Sequence, residues 1–307
     1  MFALATREIA ILIRILYPSL CLFVILGFTS SLTFAQKRPV RVDLQAVSLE
    51  QPQDYFVALL QLALEASKAP NEEIQMHFAE REYSQARWIY QAQHDPGNLV
   101  IWTMTDKYRE ETLLPIRIPL FKGLFGKRVF IIRREDQPLF DKIKTREDLA
   151  QLVAGQGMHW PDVNVLQANG LPVTTAATTA SLFKMLRAKR FDYFPRGVSE
   201  AWFELAGQED KDLVVEKNLM LVYSAPLYYF VNKKNGKLAQ RIEEGLEVMI
   251  ADGSFDAFFS AHKRTRAGLD HVIAEPRLMI YLDNPIMPAV LPEPAEKYWL
   301  NLPVRTD

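Results

Sequence analysis

Thr103, Thr105 and Arg109 lie close together at the end of an apolar run, and their side chains could together hold an anion. An arginine guanidinium is planar and grips a carboxylate through two hydrogen bonds, so Arg109 is a candidate anion clamp. Threonine hydroxyls at the end of a buried strand could add donors. The alternative is structural, with Arg109 paired on the surface to Glu110 or Glu111 and the threonines serving only as strand-end residues.

A second group of candidates begins at Gly155-Gln156-Gly157. Two glycines so close together could let backbone N–H groups approach a carboxylate, which makes Gly157 a candidate contact; two glycines alone are a weak signal, and a plain turn is the alternative. His159 and Trp160 follow, and both are candidate ligand contacts. The Trp160 indole could stack on a flat ligand or fill a core.

Arg196 is the last candidate, placed between Pro195 and Gly197 at the end of a predicted strand. The proline restricts the backbone there, so the guanidinium would be held at a defined place. If Arg196 faced a cleft it would favour an anionic ligand. A salt bridge to Glu200 is the alternative.

Composition and motifs argue against catalysis and against nucleic-acid binding. The 36 Lys and Arg residues are balanced by 37 Asp and Glu residues and form no basic block, so no nucleic-acid partner is predicted. The five histidines lack metal-ligand spacing, and neither a Gly-x-Ser-x-Gly elbow nor a phosphate-binding glycine loop occurs. We therefore predict no catalytic residue, no metal and no cofactor. An enzyme remains an alternative, because catalytic triads assemble from distant positions.

Residues 1–35 have the pattern of a secretory signal peptide. Two arginines precede the apolar run Leu16 to Leu26, and the segment closes on Thr33-Phe34-Ala35. The apolar run is short and interrupted for a membrane span, although an uncleaved anchor is the alternative. Cys21, the single cysteine, lies inside this leader, so cleavage would leave a periplasmic protein without disulfides or thiol chemistry.

Strands and helices alternate along the rest of the chain, which is typical of α/β structure with mostly parallel sheets. Apolar spacing predicts a helix from Tyr55 to Ser67, a buried strand from Leu99 to Met104 and an amphipathic helix from Leu238 to Ile250. A short strand, Phe191 to Phe194, is predicted to stop at the proline that follows. The proline-rich chain beyond Pro276 is predicted to run over the surface. The pattern predicts two α/β lobes.

The segment Leu227 to Asn235, the helix that follows it and the element Ala251 to Asp256 resemble the closing part of bacterial extracellular solute-binding proteins of the amino-acid-binding type. Thr105 to Arg109 resembles the Thr-x-x-Arg segment of that family with one residue more. Gly155 to Gly157 resembles its second-lobe ligand loop. Where the family often has an acidic residue for the ligand ammonium, this chain has Pro195-Arg196-Gly197.

The resemblance implies the type II periplasmic-binding-protein fold, with two α/β lobes, a hinge and a central ligand cleft. It implies a discontinuous first lobe of residues 36–124 plus 225–307 and a second lobe of residues 125–224. The two crossings are expected near Lys122 to Arg128 and Tyr223 to Pro226. Arg109, Thr103 and Thr105 would then face Gly157, His159, Trp160 and Arg196 across the cleft.

The function that the resemblance implies is capture of a small polar metabolite, anionic or amino-acid-like, by hinge closure for an ABC transporter. A membrane permease would be the partner and the protein would be a monomer. The alternative is a periplasmic sensory module that signals through a membrane partner. Two buried guanidiniums, Arg109 and Arg196, need about two units of negative charge between them. That charge would come from the ligand, or in part from a residue such as Asp162.

Overall fold

The computed structural model describes residues 37–45, 55–80, 83, 85–158, 160–207, 211–287 and 296–303. The predicted leader, residues 1–35, and the candidate His159 lie outside them. The first elements along the chain are β1 (Arg38–Leu44), α1 (Tyr55–Ala66), β2 (Glu72–Phe78), α2 (Gln85–His94), β3 (Leu99–Met104), α3 (Lys107–Thr112) and β4 (Leu114–Ile116).

The middle of the chain adds β5 (Lys127–Arg133), α4 (Gln137–Phe140), α5 (Arg146–Leu149), β6 (Ala154–Gly157), α6 (Asp162–Ala168), β7 (Val173–Ala176), α7 (Thr179–Arg187), β8 (Phe194–Gly197), α8 (Ala201–Ala206), β9 (Leu213–Val215) and β10 (Leu219–Val222). The last elements are β11 (Leu227–Val231), α9 (Gly236–Ala251), α10 (Ser254–Ala261), α11 (Lys263–Ala274) and β12 (Leu278–Tyr281). Short 3₁₀ turns occur at Leu124–Gly126, Arg134–Asp136 and Glu296–Tyr298.

The strands form two principal sheets. In the first sheet the order is β2-β1-β3-β11-β4, and in the second it is β12-β10-β5-β8 with β9 alongside β5. A separate parallel pair joins β6 to β7. The chain passes from the first sheet to the second between β4 and β5, and it returns between β10 and β11.

Apolar spacing explains the elements that were predicted most accurately. In α1 the buried side chains recur on one face at helical spacing, and the helix covers the core of the first sheet. Each fully buried large apolar side chain contributes about 1.5–3 kcal/mol. Strand β3 is buried along its whole length because both faces of the sheet are covered: Val100 and Trp102 pack in one apolar cluster, and Leu99 and Ile101 pack in another. The Tyr55 hydroxyl fixes the start of α1 by donating to the Leu120 carbonyl at 2.7 Å.

Two local predictions are wrong. The strand expected at Phe191 to Phe194 lies at Phe194–Gly197 and contains Pro195, which pairs with Phe130 of β5. A proline is tolerated there because β8 is the last strand in the order of its sheet, so its missing N–H interrupts no central ladder. The chain beyond Pro276 does not simply run over the surface, since β12 pairs in parallel with β10.

The predicted lobe boundaries stay a prediction, although the pairing of β12 places a segment of residues 225–307 in the second sheet. Within the described residues, none of the helices is long and apolar enough to span a membrane.

Candidate functional site

A cavity of about 350 Å³ lies between the two sheets and is lined from both sides. Four of the predicted site residues line it, namely Thr103, Arg109, Trp160 and Arg196. Thr105 and Gly157 are buried but do not line it. Residues that the sequence did not single out complete the lining, among them Phe56, Trp102, Phe121, Phe125, Arg128, Asp162, Glu200 and Arg264.

The two threonines differ in what their hydroxyls contact. Thr103 is only 3% exposed, and its hydroxyl finds no hydrogen-bond partner within the described part of the chain. The Thr105 hydroxyl donates to the Glu110 carboxylate at 2.7 Å. A buried hydroxyl is costly when it makes no hydrogen bond, so the Thr103 hydroxyl is open to a further partner, whereas the Thr105 hydroxyl is already bonded.

Arg109 lies on α3 and lines the cavity. The helix begins at Asp106, whose carboxylate accepts from the Arg109 backbone N–H at 2.7 Å and also pairs with Nη1 at 3.2 Å. Nη1 donates to the Met104 carbonyl at 2.6 Å, and Nη2 donates to Gln85 Oε1 at 3.1 Å. Burial lowers the pKa of Arg109 although Asp106 opposes that shift. These partners are not Glu110 or Glu111, the surface glutamates considered as the alternative to an anion clamp.

Arg196 projects from β8 and is held by two carboxylates. Its Nε donates to Glu204 Oε2 at 2.8 Å and its Nη2 donates to the other Glu204 oxygen, so the pair is bidentate. Glu200 lies 3.2 Å from Nη2, which is the salt bridge considered as the alternative. Burial alone would lower the pKa of Arg196, but Glu200 and Glu204 outweigh burial and raise it.

The pKa values of the two glutamates shift in opposite directions, although Arg196 lowers both. Burial alone would raise the pKa of Glu200, but Arg196 and Arg128 together hold that pKa below its usual range. Burial raises the pKa of Glu204 and its bonds to Arg196 do not fully offset the shift. Glu204 makes the closer contact with Arg196, and Glu200 is a second partner of the same guanidinium.

Trp160 and Gly157 act together on the second-sheet side. The Arg196 guanidinium carbon lies 4.7 Å from the centre of the Trp160 ring, and the Phe194 ring is nearly parallel to it at 6.2 Å. A Cβ at Gly157 would lie 2.4 Å from the indole. Gly157 belongs to strand β6 rather than to a turn, and the missing side chain makes room for Trp160.

Arg128 is the principal residue that the sequence interpretation missed. It is 3% exposed, pairs with Asp162 at 2.8 Å, and its Nε donates to the Tyr223 hydroxyl at 2.8 Å. The Tyr223 hydroxyl also donates to Asp162. Burial alone would lower the pKa of Arg128, but Asp162, Tyr223 and Glu200 raise it overall. A basic residue directly before the apolar run Val129 to Ile132 of β5 was the available signal.

Arg264 was missed because it comes from α11, far along the chain from the other candidates. Its guanidinium carbon lies 5.4 Å from the centre of the Phe56 ring and 5.9 Å from that of Phe121. Trp102 stacks on Phe56 with the ring centres 5.6 Å apart. Aromatic rings therefore form much of the first-sheet wall.

Positive and negative charges balance around the cavity. Four arginines line it: Arg109, Arg128, Arg196 and Arg264. Asp162 and Glu200 line it as well, while Asp106 and Glu204 contact arginines at its edge. Four carboxylates therefore accompany four guanidiniums. In the described part of the chain no cluster of His, Cys, Asp and Glu has the arrangement of a metal site.

Comparison with known proteins gives a likeness in structure only. No protein-family model and no curated protein sequence matches the chain. An ancestral arginine-binding protein bound to arginine superposes with a TM-score of 0.51 at 17% identity, covering 73% of this chain and 98% of that chain.

Two further structures give the same result. The probable amino-acid ABC transporter extracellular-binding protein ytmK of Bacillus subtilis has a TM-score of 0.54 at 16% identity, covering 73% of this chain and 97% of its own. A double mutant of the BvgS VFT2 domain of Bordetella pertussis has a TM-score of 0.55 at 15% identity, covering 72% of this chain and 92% of its own.

The two sheets, the cavity between them and these neighbours define the class of protein. The chain has a two-lobed α/β fold of the type II periplasmic-binding-protein kind, which confirms the predicted fold class. These neighbours include an arginine-binding protein and a probable amino-acid ABC transporter extracellular-binding protein, and their identity of 15–17% to this chain establishes the shared fold alone.

Proposed function

We propose that this chain is an exported solute-binding protein that captures a small amino-acid-like metabolite between its lobes and delivers it to a membrane transporter. The observation that carries the proposal is the cavity of about 350 Å³ between the sheets, whose lining includes Thr103, a buried residue with no hydrogen-bond partner for its hydroxyl among the described residues. In a two-lobed binder, closure about the hinge would bury the ligand there. Binding rather than catalysis is the activity proposed.

The charge pairing favours an amino-acid-like ligand over one with a large net negative charge. Asp106 pairs with Arg109, and Glu204 with Glu200 pairs with Arg196, so neither guanidinium depends on a ligand for its neutralisation. A multiply charged anion would have to displace these carboxylates or leave them uncompensated. A zwitterion adds no net charge.

Within this proposal the candidate residues have different roles. Thr103 donates to or accepts from the ligand directly, and Arg109 and Trp160 form the walls on opposite sides of the cavity. Arg196 orders the Trp160 face through its contact with the ring. Gly157 and Thr105 act indirectly, through Trp160 and Glu110.

A thermal-shift screen of the purified full chain tests the proposal, using amino acids, small peptides and organic acids. Calorimetry then compares the parent with Arg109→Ala, Arg196→Ala and the control Arg241→Ala. Arg241 pairs with Glu72 at 2.6 Å and does not line the cavity. Loss of a buried charged contact to the ligand weakens binding by about 2–5 kcal/mol.

We expect an amino-acid-like compound to stabilise the parent and the Arg241→Ala control equally. At least one of the two cavity variants, Arg109→Ala and Arg196→Ala, should bind more weakly. A folded parent that responds to none of these compounds would count against solute binding. Equal affinity in all three variants would place the ligand elsewhere.

A further inference from the structure

After α10 the chain connects the first-sheet side of the protein with the second-sheet side once more. Thr265 in the first turn of α11 is fully buried, and its hydroxyl donates to the Phe259 carbonyl of α10. His262, just before α11, contacts Tyr55 of α1 edge to face with the ring centres 5.1 Å apart. The start of α11 is therefore fixed to the helices that pack on the first sheet.

The middle of α11 contacts the second-sheet side closely. A Cβ at Gly268 would lie 1.9 Å from the Val198 carbonyl oxygen, so helix and backbone touch directly. One turn later, His271 stacks on Trp202 of α8 with the ring centres 4.7 Å apart and the planes within 5°. Val198 follows β8 directly and precedes Glu200, which lines the cavity.

The segment after α11 joins the second sheet itself. Strand β12 pairs in parallel with β10, with Leu219 opposite Leu278 and Val222 opposite Tyr281. Arg277, 2% exposed, donates to the Leu219 carbonyl at 3.3 Å and lies 3.7 Å from the Glu216 carboxylate. These contacts anchor the end of the segment in the second sheet.

The chain then returns to the first-sheet side. The carbonyl of Ile286 accepts from the backbone N–H of Lys107 at 3.2 Å. Lys107 is the first residue of α3, the helix that carries Arg109. Residues 263–286 therefore contact the first-sheet side at both ends and the second-sheet side in between.

We propose that residues 263–286, the C-terminal strap, connect the lobes a third time and hold them in the arrangement seen in the structure. Rigid-body opening about two crossings alone leaves a cleft free to widen. Here, opening must separate Gly268 from Val198 or Lys107 from Ile286. Arg264 lines the cavity at the start of the strap, so ligand exchange and strap release involve the same wall. This inference does not depend on which ligand binds.

Distances between spin labels on the two lobes test the strap in the ligand-free full chain. The exposed residues Lys142 and Lys237 provide labelling sites when replaced by cysteine in a Cys21→Ser background. Gly268→Ala adds a methyl group against Val198 and should release the strap. Gly236→Ala is the matched control, because a Cβ there meets nothing within 4 Å. His271→Ala, which removes the stack on Trp202, tests the same contact without adding volume.

We expect one narrow distance population in the parent and in Gly236→Ala, and a second, longer population in Gly268→Ala and His271→Ala. Amide hydrogen exchange at Leu278 and Leu282, whose N–H groups donate to Asn218 and Val222, should quicken in the same two variants. If Gly268→Ala fails to fold, His271→Ala decides the question. The inference is overturned if the parent already shows two populations, or if the folded strap variants keep the parent distribution.

Discussion

The contrast between Thr103 and Thr105 predicts opposite effects from the same substitution. Both residues are threonines with buried side chains in the same segment, at 3% and 0% exposure. Thr105→Val removes a hydrogen bond of 2.7 Å to the Glu110 carboxylate. Thr103→Val removes no hydrogen bond, because the Thr103 hydroxyl has no partner among the described residues. Valine has nearly the shape of threonine, so each variant deletes the hydroxyl with little change in packing.

A hydrogen bond to a charged group contributes about 1.5–3 kcal/mol, and we expect Thr105→Val to lose about 2 kcal/mol of unfolding free energy. Thr103→Val should change that free energy by less than about 0.5 kcal/mol, because it leaves no partner unsatisfied. Denaturant unfolding followed by tryptophan fluorescence measures both, and at about 2–4 °C per kcal/mol the melting temperatures should separate by several degrees.

Ligand affinity should show the reverse order. Thr103→Val is expected to weaken binding about fivefold, the loss of one hydrogen bond of about 1 kcal/mol, while Thr105→Val binds as the parent does. Should Thr103→Val lose as much stability as Thr105→Val, its hydroxyl has a partner in the protein and the assignment is refuted. Unchanged affinity in Thr103→Val would remove it from the ligand site.

Two further predictions concern stability. Gly126→Ala should lose about 1–3 kcal/mol, because the added Cβ would lie 2.0 Å from the Tyr223 carbonyl oxygen; the control Gly207→Ala, with its nearest atom at 3.6 Å, should melt at or above the parent temperature, and equal melting of the two variants would contradict this. Although burial alone would raise it, Arg196 and Arg128 hold the pKa of Glu200 below its ordinary value in the folded state, so the stabilisation is present above that ordinary value and lost as pH falls through the folded one. Glu200→Gln should therefore be less stable than the parent near neutral pH, with a gap that narrows in acid; unfolding titrations in which the gap stays constant would contradict it.

Sequence periodicity predicted those elements whose burial is encoded locally. The helix predicted from Tyr55 to Ser67 lies at Tyr55–Ala66, and the strand from Leu99 to Met104 has the bounds predicted. In both, the spacing of apolar residues reports directly which face is buried. The strand containing Pro195 was misplaced because its edge position depends on the order of the strands in the second sheet, which no local pattern records.

The residues that line the cavity were predicted only in part, for a similar reason. Thr103, Arg109, Trp160 and Arg196 line the cavity, and they were found from residue chemistry and a family resemblance. Arg264 reaches the same cavity from α11, and neither its sequence neighbours nor the resemblance pointed to it. Which carboxylate pairs with each arginine depends on tertiary contacts, and spacing along the chain does not contain them.

The pairing of the cavity arginines determines where binding free energy can come from. A ligand carboxylate that approaches Arg196 must compete with Glu204, which already makes a bidentate contact, so replacing one carboxylate by another gains little. The Thr103 hydroxyl has no partner to lose among the residues that the structure describes, and the rings of Phe56 and Trp102 gain from any apolar surface placed against them. Affinity in the proposed site should therefore depend more on the hydroxyl and the aromatic wall than on the number of charges the ligand carries. The arginine–carboxylate pairs instead disfavour binding of ligands that carry an uncompensated charge, since such a ligand would disturb carboxylates that are already paired with arginines.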